Sequence, residues 1–102
     1  MEVQQFEWKE FKMETLHAQI QAGSVSIGFQ ENGLTVKIHG QAGTDKTRPD
    51  KWTIYAVFKE DGKQERTQSR IMSSDGVKLE LERSVNSAKA MLALRVPPPK
   101  DP

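Results

Sequence analysis

At 102 residues, with 35% apolar residues and a formal charge of +1 left by 15 basic and 14 acidic side chains, the chain is sized for one domain and lacks the basic excess of a dedicated duplex-DNA binder. Leu, Ile, Val and Phe number 22, just above the level of roughly 20% below which chains tend to stay unfolded, so a folded domain with a thin core is expected. The chain has no cysteine, which excludes a disulfide framework and a thiolate zinc site.

Residues Met1 to Phe6 have neither the basic nor the apolar stretch of a signal peptide, and no window approaches the roughly 18 apolar residues of a membrane span. These features predict a cytoplasmic protein without membrane anchoring, or a virion component assembled in the cytoplasm.

In chain order, Phe6 to Met13 comes first. Phe6 and Trp8 alternate, as do Phe11 and Met13, but the phase slips at Lys9-Glu10. A bulged edge strand is preferred there to a short helix. A tight turn at Ala22-Gly23 would then set Ile20 opposite Val25, Ala18 opposite Ile27 and Leu16 opposite Phe29, making residues 16–20 a strand. Next, Val25 to Glu31 and Leu34 to Ile38 alternate on either side of Asn32-Gly33, a pair suited to the positive φ angles of a type I′ hairpin turn. With Glu31 opposite Leu34, Phe29 meets Val36 and Ile27 meets Ile38, so the large apolar side chains share one face.

Gln41 to Lys51, rich in Gly, Thr, Asp and Pro, reads as a long connection crossing between sheets. Trp52 to Phe58 then runs into a two-residue turn at Asp61-Gly62 and a polar strand from Gln64 to Ile71, with Glu60 and Lys63 as a weak ion pair flanking the turn. Val77 to Glu82 and Ala88 to Val96 alternate about a loop at Ser84–Ser87, pairing Leu81 with Ala90, Leu79 with Leu92 and Val77 with Leu94. Pro97 to Pro102 cannot feed a ladder and reads as an extended polyproline tail, with only the Pro99 and Pro102 spacing resembling a docking ligand.

The resulting expectation is an all-β domain over residues 1–96, an antiparallel β sandwich of seven or eight short strands with a small β barrel as the alternative, followed by the tail at 97–102. Phe29, Ile27, Val36, Ile38, Ile54, Leu79, Leu81, Leu92 and Leu94 form its expected core.

Candidate chemistry is sparse. His17 and His39 have no neighbours at metal-ligand spacing and read as solvated side chains. No serine lies in a nucleophile elbow, and the glycines are not grouped to cradle a phosphate. Glu80 and Glu82, two apart on an expected strand, form a possible acid and base pair. Their alternation with leucines, and Lys89 opposite Glu82, favour a solvated face with cross-strand ion pairs. No catalytic residue, metal or cofactor is therefore assigned.

The sharper arrangement lies in the third hairpin. The two-residue turn would set Tyr55 opposite Gln68 with Arg66 and Arg70 diagonal to it, and Trp52, Ile54, Ala56 and Phe58 on the other face. An aromatic ring flanked by guanidiniums suits single-stranded nucleic acid or an anionic protein, and Lys51, Arg48 and Lys46 would extend the patch. The leading expectation is a non-enzymatic module for protein contact, self-association or assembly. Single-strand nucleic-acid binding through Tyr55, Arg66 and Arg70 is second, and carbohydrate binding through Trp8 or Trp52 is third.

Overall fold

Asn32 and Gly33 have φ angles of 43° and 84° and close a hairpin in the expected register, with Phe29 opposite Val36 and Ile27 opposite Ile38. The computed structural model describes residues 3–43 and 50–95. Around this hairpin of β2 (Ser24–Glu31) and β3 (Leu34–Ala42) the chain builds one five-stranded sheet whose strands lie side by side in chain order. On one side, the two-residue β1 (Gln4–Gln5) pairs parallel with β2, and the Phe6 N–H donates to the Gly28 carbonyl at 2.9 Å. A Cβ on Gly28 would stand 2.7 Å from Gln5 Nε2 and 2.8 Å from Val3 Cγ1, so a side chain here would displace those two side chains. On the other side follow β4 (Lys51–Glu60) and β5 (Arg66–Ser73), both antiparallel.

The domain is mostly β, as expected, but it is not a two-sheet sandwich of seven or eight strands. Two helices replace the second sheet. Residues 16–20 lie within α1 (Met13–Ala22), and Gly23, expected in a strand turn, caps this helix at φ 83°. Leu16 is fully buried, and Met13 and Ile20 pack partly against the core at spacings of three and four, whereas Ala18 is exposed. Residues 77–93, expected within a last hairpin running from Val77 to Val96, form most of α2 (Ser74–Ala93), and Ser84–Ser87 is helix interior. Val77, Leu81, Val85, Ala88 and Leu92 make its buried stripe. Leu79 and Leu94, both assigned to the core, are 53% and 86% exposed.

Both segments are rich in Ala, Leu, Met, Glu, Gln, Lys and Arg, which favour helix. Each also carries apolar residues both two and four apart, which let a strand period fit equally well. Over Phe6 to Met13 neither expected form is present, apart from Met13, which begins α1. The chain turns at Trp8–Glu10, with the Glu10 N–H donating to the Glu7 carbonyl at 3.0 Å. Gln41 and Ala42 belong to β3, and Ala42 pairs with Trp52 of β4, so the connection returns to the same sheet. Residues 97–102, the expected tail, lie outside the described residues.

The core fills the space between one sheet face and the helices. Val25, Ile27, Phe29, Leu34, Val36, Ile38, Trp52, Ile54 and Ala56 face the helical stripes. Phe11 links Phe6 and Phe29 by edge-to-face contacts at 5.0 and 5.3 Å.

Candidate interaction site at the β5 edge

The β4–β5 connection sets the geometry of the candidate site. The Lys63 N–H donates to the Glu60 carbonyl at 3.0 Å, Gly62 has φ 76°, and the ladder resumes with Phe58 opposite Arg66. This register is one residue away from the one a two-residue turn would give. Tyr55 therefore pairs with Ser69, and Ala56 pairs with Gln68. Because strand side chains alternate, a one-residue shift moves every β5 side chain to the opposite face. Arg66, Gln68 and Arg70 consequently share the helix-side face with Ile54, Ala56 and Phe58, while Tyr55 is on the outer face with Ser69. The expected grouping of Tyr55 with Arg66 and Arg70 on one face is not formed. The expected Glu60–Lys63 ion pair is present at 3.2 Å, and the hydrogen bond and charge of Lys63 hold the Glu60 carboxyl below its usual pKa.

Lys51 begins β4 on the Tyr55 face, opposite Ser73. Arg48 and Lys46 lie outside the described residues. Tyr55 stacks on His39 with ring centroids 4.5 Å apart and planes 20° apart. Burial of the His39 ring, with Lys37 nearby, lowers its pKa. Trp52 is only 5% exposed, so it has no ring face free for a sugar. The Trp8 indole N–H donates to Glu31 Oε2 at 3.0 Å.

Neither the histidines nor the acidic pair are isolated. His17 Nε2 stands 2.7 Å from Glu82 Oε2, joining α1 to α2. Glu80 reaches the other way, its Oε1 lying 3.3 Å from Arg70 Nη1. The helix thus separates the two carboxylates that a strand would have set on one face. Among the described residues, no three potential metal-ligating side chains converge, and no helix is long and apolar enough to cross a membrane.

The feature missed in the sequence is the edge of β5. Arg66 through Ile71 are exposed, with Ile71 at 68%, and among the described residues no strand pairs with the side of β5 away from β4. Alongside this edge, between the sheet and α2, lies a groove of about 430 Å³. Ile38, Ile54, Ala56 and Leu81 supply its apolar part, and Gln68, Arg70, Glu80 and Ser84 its polar rim. A smaller hollow, about 260 Å³, continues along the same seam past Phe58, Arg66, Ser87 and Met91, with Gln68 shared by both. The Arg66 guanidinium lies 6.0 Å from the Phe58 ring centroid. The signal in the sequence was the strand's composition: from Arg66 to Ile71 it has no apolar alternation, as befits a strand buried on neither face.

Unpaired strand groups beside a groove with a largely polar lining can accept an extended peptide, with main-chain hydrogen bonds giving affinity and alternate side chains giving selectivity. Comparison with protein-family models, curated proteins and solved structures yields no match, so the functional reading rests on this geometry.

Proposed function

We propose that this domain is a non-enzymatic protein-contact module that takes an extended partner segment as an additional strand along β5. The observation carrying the reading is the eight-residue β5 edge, exposed from Arg66 to Ile71 and bordered by the groove beneath α2. Such an edge offers outward N–H and C=O groups without backbone rearrangement.

The test is selection of binders from a library of random nonapeptides, followed by amide hydrogen exchange of the domain with and without the selected peptides. Slowed exchange at β5 supports the reading. Failure to select any binder, or protection confined to other elements, overturns it.

A second reading, contact with single-stranded nucleic acid, draws on the stacked His39 and Tyr55 rings with Tyr55 39% exposed. Its cations would be Lys37 and Lys51 on the same face, not the arginines. Under this reading, Tyr55→Ala weakens oligonucleotide binding by about 1–3 kcal/mol without changing its salt slope, whereas Lys37→Ala lowers the slope by up to about one ion. Absence of oligonucleotide binding at low salt removes this reading.

A further inference from the structure

We infer that the segment accepted by β5 is acidic, with carboxylates four residues apart that face Arg66 and Arg70; this deepens the strand-addition reading and rests on it. Arg66 and Arg70 lie on the same helix-side face of β5, separated by about 13 Å at strand rise. Between Arg66 and Ser73 there is no acidic residue. An added strand with glutamates at positions i and i+4 therefore sets each carboxylate beside a guanidinium, and its alternate side chains lie on the outer face by Thr67, Ser69 and Ile71. Exposed Ile71 there favours a β-branched neighbour.

The same charges disfavour a second copy of this chain. Pairing β5 antiparallel with itself about Gln68 sets Arg66 opposite Arg70, and pairing about Arg70 sets that residue opposite its own copy. Pairing about Thr67, Ser69 or Ile71 leaves guanidiniums at diagonal neighbours, still within reach of one another. An acidic strand turns these repulsions into attractions. Glu80 competes for Arg70 at 3.3 Å, but the arginine side chain is 62% exposed, and exposed ion pairs are weak enough to be shared or exchanged.

The experiment uses the full chain and three fluorescent nonapeptides of alternating threonine and valine, carrying glutamate, glutamine or lysine at positions three and seven, followed by anisotropy. The glutamate peptide is expected to bind about fivefold more tightly than the glutamine peptide, and the lysine peptide more weakly than either. Arg66→Glu combined with Arg70→Glu should invert that order. Glu80→Gln should tighten the glutamate peptide by about twofold, a gain that mere loss of folding does not produce.

Equal binding of all three peptides, with β5 amides protected from exchange, overturns the charge inference while leaving strand addition standing. Failure of all three to bind overturns the inference, and failure of the random library as well removes strand addition itself. Two further outcomes overturn it: a concentration-dependent doubling of mass abolished by the double arginine substitution, which identifies a second copy, and displacement of the glutamate peptide by oligothymidylate at physiological salt, which identifies a nucleic-acid strand.

Discussion

Arg95 and Asn32 hold each other by their backbones. Arg95 Nε donates to the Asn32 carbonyl at 3.3 Å, while the Asn32 side-chain amide donates to the Arg95 carbonyl. The same guanidinium stands 3.5 Å from Glu60 Oε2. The end of α2 is thereby tied to the β2–β3 turn and to the end of β4, so the shape of this turn matters beyond its own hairpin.

Gly33→Val should destabilise the domain by more than about 1 kcal/mol, because φ 84° is strained for a branched residue. A Cβ at this position would also stand 3.2 Å from Asp61 Oδ2. Urea denaturation measures the loss, and an unchanged midpoint would count against the turn geometry.

Along α2 and its C-cap residue Leu94, leucine truncations should separate by burial. Leu81→Ala and Leu92→Ala, at fully buried positions, are expected to cost about 2–5 kcal/mol each. Leu79→Ala and Leu94→Ala, at exposed positions, should stay within about 0.5 kcal/mol of the parent. Equal losses at Leu79 and Leu81 would contradict the helical stripe.

The His17–Glu82 contact between α1 and α2 should contribute modestly. His17 and Glu82 side chains are 36% and 28% exposed, and a double-mutant cycle with His17→Ala and Glu82→Ala is expected to give a coupling of about 0.2–1 kcal/mol. A coupling indistinguishable from zero would mean that the contact does not hold the helices together.

Stability should fall with acidification through His39. Its folded-state pKa is lowered by burial and then by Lys37, so the unfolded chain takes up the proton at the higher pH. Between the two values the unfolded state binds more protons, and unfolding free energy rises with pH. This contribution is complete above about pH 6.5 and is lost as the pH falls through the folded-state value. Urea midpoints across that interval should drop less in His39→Gln than in the parent. An NMR titration giving His39 an ordinary or raised pKa would refute the sign.

The β2–β3 hairpin was legible because two local constraints agree: Asn32-Gly33 accepts the turn angles, and one register gathers Ile27, Phe29, Val36 and Ile38. The helices were not, because Val77, Leu79 and Leu81 satisfy a period of two as well as the four-residue step from Val77 to Leu81. Only the exposed Leu79 distinguishes them, and burial is a tertiary property. The candidate site turned on a still finer matter. One residue in the β4–β5 connection decides which face carries Arg66 and Arg70, and Asp61-Gly62 fits either loop length.

The sequential order of strands β2 to β5 also has a kinetic consequence. Closing β2 on β3 requires only a two-residue turn, whereas the His17–Glu82 contact joins positions 65 apart, and longer closures carry a larger entropic cost. The expected route therefore pairs the central strands before α2 docks. Gly33 substitutions should slow refolding, while Leu92→Ala should act mainly by hastening unfolding.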